Sequence, residues 1–341
     1  MLELRVERIV RELPDAATFY LAERNGKRIA YKAGQFLTLI FNHHQEEIRR
    51  SYSLSSSPDE PLLAITVKRV ANGEISRFLL SKVNVGDIIY SADPAGVFTV
   101  DNRAGEADVV FFAAGSGITP VFALLKYLLN HPGTGKLHLI YSNRSRRDVL
   151  FYDELNRLQS EYALRLDITY LISDEGRRMS NAVVERLVNQ QLAGDKQKAL
   201  FYLCGPFSYM RTIRLTLHYM GIPDRNIRKE NFVLETVPVT GSQTVYPPQK
   251  IRIHIGGKVH DVMAGENQSI LQAALQNKVM LPYSCRSGIC SACVAFCKTG
   301  KVEMVKNEVL TNEDIARGLI LTCTGHALTD DVEIAYSLTT R

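Results

Sequence analysis

The chain has 341 residues, long for one domain when domains typically run roughly 100–200 residues, so two or three cores are expected. Composition is that of an ordinary soluble protein, 45% hydrophobic and 23% charged, and the formal net charge of +5 comes without any run of Lys or Arg, which argues against nucleic acid as a partner. The opening MLELRVERIV carries Glu3, Arg5, Glu7 and Arg8, incompatible with a secretory signal; a cytoplasmic, reducing location is expected, where six cysteines read as ligands or catalytic groups rather than disulfides.

Residues 1–103 show short β-rich runs separated by turns: LELRVERIV, GQFLTLIF, RRSYSLSSS, LLAITVKRV and GDIIYSADP. Such spacing predicts a small antiparallel barrel or sandwich. Within it, Arg50, Tyr52 and Ser53 put a cation, an aromatic ring and a hydroxyl on one strand, with Arg50 and Tyr52 on one face and Ser53 on the other. Any exposed strand can carry such residues, so their context decides. RxYS, the basic VKR at 67–69, GEIS from Gly73 to Ser76 and PAGVF at 94–98 resemble, in that order, the flavin domain of the ferredoxin-NADP reductase superfamily. The resemblance implies bound FAD, with Arg50 on the flavin phosphate, Tyr52 packed on the isoalloxazine and Ser53 near its reactive nitrogen. It also implies Lys68 among the flavin contacts and Gly73 and Ser76 at the pyrophosphate. One branch with this domain order uses FMN and shares the RxYS strand, so FMN stays open as the alternative.

From Asp108 the period changes. The strands VVFFAA, KLHLIYS, LRLDITYLI and KALFYLCG alternate with the helical stretches PVFALLKYLLN, RDVLFYDELNRLQ, SNAVVERLVNQQ and FSYMRTIRLTLHYMG, which predicts a doubly wound α/β domain over 104–236. Residues 109–129 are apolar and long enough for a membrane crossing, but Gly115, Ser116, Gly117 and Pro120 break them into strand, turn and helix, so no membrane span is expected. The turn GSGITP allows close backbone approach and places a helix N-terminus where a phosphate is favoured. With Pro120 in its third position it departs from the dinucleotide fingerprint and is similar to the GxGxxP turn of the same reductase superfamily. That likeness implies pyridine-nucleotide contacts at Gly115, Gly117 and Thr119. The later Cys204-Gly205-Pro206 resembles the family's CGP, whose cysteine lies beside the nicotinamide. Glu230-Asn231-Phe232 closes the block as the family often does, with Phe232 expected over the flavin face that nicotinamide must reach. After LHLIYS, an acid would suit the 2′-hydroxyl of NAD; Arg144 and Arg147 stand there instead and favour a 2′-phosphate, hence NADPH with NADH as the alternative. The other reading of those arginines is a solvated helix start capped by Asp148.

A Pro-, Gly-, Ser- and Thr-rich stretch follows and reads as a linker over 237–249, before a last domain at 250–341 that opens with a hairpin about Gly256-Gly257. There Cys285, Cys290, Cys293 and Cys323 have the spacing C-x4-C-x2-C-x29-C of a plant-type two-iron two-sulfur site. Four thiolates are needed because each tetrahedral iron takes two protein sulfurs besides two sulfides. Small residues, Ser287, Gly288 and Ser291, let backbone N–H groups approach those sulfurs. A structural zinc site usually shows two C-x2-4-C pairs set apart in sequence, whereas Cys323 stands alone at a distance from the others; Cys297, on a strand-like alternation, reads as a bystander. LPYSCRSGICSAC and LTCTGHA resemble the plant-type ferredoxin family, which implies an α+β β-grasp fold. The whole chain, in the order flavin, nucleotide, ferredoxin, is similar to the reductase components of bacterial oxygenases, such as those serving phenylacetyl-CoA epoxidase and ketosteroid hydroxylases. That implies an oxidoreductase passing electrons from NADPH through FAD and the 2Fe-2S cluster to a protein acceptor, an oxygenase component. A reductase for another acceptor, such as a hybrid-cluster protein or free carrier, and a redox sensor without turnover are the alternatives.

Overall fold

A computed structural model describes residues 1–43, 46–192, 194–232 and 245–336. They form two compact units, Met1–Asn231 and Phe232–Arg341. The expected linker at 237–249 lies outside the described residues as far as 244.

In the first unit, β1 (Leu2–Leu13), β2 (Ala16–Glu23), β3 (Phe36–His43), β4 (Glu46–Ser53), β5 (Leu63–Lys68) and β6 (Ile88–Ser91) pair antiparallel in the order β4-β3-β6-β1-β2-β5. Just beyond β4, Leu54 bridges Ile65 of β5, so the two edges meet and the sheet closes as the barrel expected from the sequence. Alternation puts Leu4 and Val6, Phe19 and Leu21, Leu37 and Leu39, Leu54, Ile65 and Val67 inside. Each such side chain, fully buried, contributes roughly 1.5–3 kcal/mol. The helix α1 (Glu74–Lys82) adds Ile75, Leu79 and Leu80 to that core. Neither α1, read only as a GEIS turn, nor β2 was marked by the sequence pattern.

The same unit continues through β7 (Val109–Ala114), α2 (Ile118–Asn130), β8 (Leu137–Asn143), α3 (Tyr152–Glu161), β9 (Leu166–Ile172), α4 (Asn181–Gln191), β10 (Leu200–Cys204), α5 (Phe207–Tyr219) and β11 (Ile227–Glu230). The strands are parallel in the order β11-β10-β7-β8-β9. β7 is buried on both faces, Val109, Phe111 and Ala113 to one core and Val110 and Phe112 to the other, which is why its sequence is uniformly apolar rather than alternating. The apolar run 109–129 is therefore strand, turn and helix, and among the described residues no helix is long and apolar enough to cross a membrane. One expectation changes: RDVLFYDELNRLQ is not a single helix. Ser145 and Asp148 close a capping box around a single 3-10 turn, the backbone then extends, and Phe151 at φ 58° starts α3 only at Tyr152.

The second unit holds β12 (Gln249–Ile255), β13 (Lys258–Ala264), α6 (Ile270–Gln276), β14 (Val294–Thr299), β15 (Val302–Met304), α7 (Asn312–Ala316), β16 (Leu319–Leu321), β17 (Gly325–Ala327) and β18 (Val332–Ala335). Its mixed sheet runs β13-β12-β18-β14-β16, with β12 and β18 parallel, and β15 pairs β17. Gly256 and Gly257, at φ 58° and 74°, make the two-residue turn between β12 and β13. Ser269 and Gln272 exchange hydrogen bonds at the start of α6, satisfying two donors that a helix end leaves unpaired.

Candidate flavin, nucleotide and cluster sites

The order of the parallel sheet reverses between β7 and β10, and in open sheets the crevice at that point takes the ligand. Gly115-Ser116-Gly117 leaves β7 into α2 there, and Cys204-Gly205-Pro206 leaves β10 into α5. The two turns touch. A β-carbon on Gly117 would lie 2.2 Å from the Cys204 carbonyl oxygen, and one on Gly205 2.9 Å from Ala114 Cβ. Gly115, at φ +54°, faces open space. Packing thus demands glycine at 117, while the floor at 115 is bare backbone beneath two helix N-termini, a fit to a dinucleotide phosphate. Thr119 is buried and its hydroxyl donates to Ser116 O at 3.0 Å, so it braces the turn. Two tyrosines that sequence reasoning did not single out fix the crevice from below. Tyr141 Oη donates to Gly115 O at 3.1 Å, and Tyr209 Oη donates to Ala113 O at 3.1 Å.

Cys204 is fully buried at the end of β10, with Ala113 on one side and Glu230 on the other. Burial, and secondarily the Glu230 charge, push its thiol pKa up, so it stays a neutral, polarizable wall rather than a thiolate nucleophile. Glu230 is 3% exposed, its Oε2 has no hydrogen-bond partner, and burial pushes its pKa up to about 8. Around the far end of β8, Arg144 is exposed with its Nε 4.0 Å from Asp174 Oδ1, and Arg147 is exposed beside it. Arg146 instead pairs with Glu175 at 2.5 Å, and Asp148 accepts from the Ser145 amide and hydroxyl.

On the barrel, Arg50 is exposed and its Nη1 donates to Arg49 O, Tyr52 is half-buried with its pKa pushed up to about 12 by burial, and Ser53 is buried. Lys68 stands at the end of β5, 3.9 Å from Asp15. Gly73 caps α1. Ser76 turns inward, accepting from Val70 N and donating to Gly73 O, both at 3.1 Å, so its hydroxyl shapes the turn whose backbone faces outward. A β-carbon on Gly73 would meet Ser76 Oγ at 2.6 Å, which keeps the position glycine. Phe232, expected over the flavin, opens the second unit and is 41% exposed.

In the second unit the four thiols of the spacing motif lie together, Cys285 beside Cys290 and Cys323, and Cys323 beside Cys293, and the Cys285 amide lies 3.5 Å from Cys290 Sγ. Four neighbouring thiols suit a two-iron two-sulfur cluster, which Cys285, Cys290, Cys293 and Cys323 would hold. Backbone amides support it: Ser287 N lies 3.4 Å from Cys285 Sγ, and those of Ile289, Ala292 and Gly288 aim at Cys285, Cys290 and Cys323. Gly288 is at φ +70°, and a β-carbon there would meet Lys306 O at 2.4 Å. Cys297 stands apart on β14, its thiol donating to Thr299 O at 3.2 Å.

A nucleotide crevice, a flavin barrel and a four-thiol loop in one chain define a modular oxidoreductase that moves electrons from a pyridine nucleotide through flavin to a 2Fe-2S cluster. Three family models match in the same order: the oxidoreductase FAD-binding domain over 3–100, the oxidoreductase NAD-binding domain over 111–215 and the 2Fe-2S iron-sulfur cluster binding domain over 253–327. The chain is 32% identical to the ferredoxin reductase component of 3-ketosteroid-9-alpha-monooxygenase from Rhodococcus rhodochrous, over 98% of this chain and 96% of that protein. It is 29% identical to a component of the 1,2-phenylacetyl-CoA epoxidase of Escherichia coli K12, over 98% of this chain and 97% of that protein. Among solved structures it resembles phthalate dioxygenase reductase, at 25% identity and a TM-score of 0.61 over 99% of this chain and 98% of that one. The chain belongs to the family of FAD- and 2Fe-2S-containing reductase components of oxygenase systems.

Proposed function

We propose that this reductase oxidises NADPH in the cytoplasm and hands the electrons to a separate oxygenase component. The observation that carries it is the unbroken correspondence of all three modules, end to end, with proteins whose names place them in a ketosteroid monooxygenase and a phenylacetyl-CoA epoxidase. FAD, when bound, supplies the chemistry of taking a hydride and releasing electrons singly, and the cluster accepts one at a time. The chain's own groups do the rest. Gly115 lets the nucleotide lie on backbone, and Gly117 lets the facing turn of Gly205 and Pro206 close against it. Cys204 walls the nicotinamide. Tyr52 and Ser53 hold the flavin ring, and Arg50, Lys68, Gly73 and Ser76 its phosphates. NADPH is preferred because Arg144 and Arg147 stand exposed where an acid would meet the 2′-hydroxyl of NADH.

Anaerobic stopped-flow mixing tests this directly. NADPH is expected to bleach the flavin bands within seconds and then the cluster bands, faster than NADH does; flavin left unbleached by NADPH refutes the reading. Replacing Arg144 and Arg147 together by Glu is expected to lower kcat/KM for NADPH by about tenfold or more, the worth of charge-assisted hydrogen bonds of roughly 1.5–3 kcal/mol, and to spare NADH.

A further inference from the structure

Leu54 points into the barrel, as do Ala17 and Phe19 of β2 and Ile65 and Val67 of β5. The residues between them therefore face outward, toward the nucleotide module, whose core takes in Ala16. That outer face is neither apolar nor wet. Ser55, Thr66 and Thr18 are 2%, 6% and 2% exposed and hydrogen-bonded in series, Ser55 Oγ to Thr66 Oγ1 at 2.9 Å and Thr66 Oγ1 to Thr18 Oγ1 at 2.8 Å. Thr18 Oγ1 donates to Glu12 Oε1 at 2.6 Å, and Glu12 is partly exposed. At the other end, buried Ser53 lies on the same side of the extended chain as Ser55, its backbone about 6.6 Å along it, so that a water between the two hydroxyls would complete the row.

We propose that Ser55, Thr66, Thr18 and Glu12 form a proton exit leading from the flavin to water. The proposal rests on the reductase reading, which puts Ser53 against the reactive nitrogen of the flavin. Each hydride taken from NADPH brings two electrons and one proton. The cluster carries both electrons away, one at a time, to the acceptor that they reduce, and carries no proton. One proton per NADPH must therefore leave the buried flavin site by another route. In the row, Thr18 gives its proton to the Glu12 carboxylate, Thr66 gives to Thr18, Ser55 to Thr66, and the flavin side refills Ser55 through Ser53 and the bridging water. Glu12 then releases to solvent, and rotation of the hydroxyls resets the row with no net change in it.

A cross-strand Thr pair alone is an ordinary device of sheet stability, and Thr18 and Thr66 are directly opposed. Stability does not require the row to run on at both ends, from a serine beside the flavin strand to a carboxylate that reaches water. The terminal acid is also suited to transit. Burial raises the pKa of Glu12, the Thr18 hydroxyl lowers it, and Glu154 of α3 and Arg8 of β1 act with smaller, opposed effects.

The test uses the holoenzyme reduced by NADPH without oxygen and then mixed with excess ferricyanide and a pH-indicator dye, reading proton appearance separately from flavin absorbance. In Glu12→Gln and Thr66→Val, proton appearance is expected to slow on the order of tenfold. That is less than the roughly 10²–10⁴ of a positioned acid or base, since stray water substitutes in part. Thr66→Ser is expected to restore the wild-type rate, which a loss of packing at this site would not. In flavin-free protein, carbon-13 NMR of the Glu12 carboxyl is expected to titrate at higher pH in Thr18→Val. Wild-type proton appearance in Glu12→Gln and Thr66→Val, or slowing seen only in Glu230→Gln, overturns the exit; an unmodified protein that NADPH does not bleach overturns the reductase reading instead.

Discussion

Gly117→Ala tests the crevice where β7 and β10 meet. The added methyl would stand 2.2 Å from Cys204 O, 2.5 Å from Cys204 C and 2.9 Å from Gly205 N, all backbone, so no side-chain rotation relieves it. The two turns must part by roughly 1 Å to restore ordinary contact, and overpacking of that kind costs about 1–3 kcal/mol. For a unit of this size that lowers Tm by about 2–4 °C per kcal/mol, or roughly 6–12 °C at the upper end. The effect on chemistry is larger than the effect on stability. The displaced strand end carries Cys204 and faces Glu230, and a 1 Å misplacement of a reacting pair can lower rate about 10²-fold. Thermal melting and NADPH-ferricyanide kinetics measure both. Gly194→Ala is the control, since its β-carbon meets nothing within 4 Å and its Tm and kcat/KM are expected to be unchanged. A Gly117→Ala protein with wild-type Tm and kcat/KM would refute the claim that the turns are in backbone contact.

Glu230 ionises near pH 8 when folded against an ordinary value of 4.5, so the folded chain holds the extra proton between these limits and loses stability as pH rises through them, by a few kcal/mol at most. Glu230→Gln is expected to melt higher than wild type at pH 9 and alike at pH 4.5; equal melting at both would show that the carboxyl is solvated. His138 is 5% exposed with neither ring nitrogen partnered, and burial lowers its pKa. Its stability contribution is therefore present above the unfolded value near 6.5 and lost as pH falls through it, so His138→Leu is expected to narrow the Tm gap between pH 7.5 and 5.5. Cys297→Ala is expected to keep the iron content and visible spectrum, and Cys293→Ala to lose them; equal spectra in the two would mean that Cys297 can serve as a ligand. Gly288→Ala, which sets a methyl against Lys306 O, is expected to lose cluster on purification, read as iron per chain.

What was legible in the sequence were features carried by residue type at short range. GSGITP and CGP could be placed because glycine is needed where backbone meets backbone, and the cysteine spacing because sulfur chemistry leaves few substitutes. β2 was missed because AATFYLAE hides its alternation behind small residues that are buried on both faces. α1 was missed because its nine residues follow a glycine cap with no side-chain capping bond to announce them. The broken helix start at Phe151 depended on a left-handed residue that no propensity marks. Tyr141 and Tyr209 escaped notice since a tyrosine under a loop and one in a core look alike in sequence. The hydroxyl row was out of reach for a different reason: Thr18 meets Thr66 only through the β2–β5 register, 48 residues apart.

The two acids near the flavin and nucleotide modules divide the proton traffic by their access to water. Glu230 is closed off beside the Cys204 thiol, has an unpartnered oxygen and keeps its proton to about pH 8; it can neutralise charge locally, but it has no bonded path outward among the described residues. Glu12 has the opposite properties. It is open to solvent on one side and tied on the other to three hydroxyls that lead back toward Ser53. A carboxyl on the nicotinamide side that cannot drain and one on the barrel side that can keep the hydride's entry apart from the proton's departure. Electrons can then go forward to the cluster without the proton returning to the nicotinamide by the way it came.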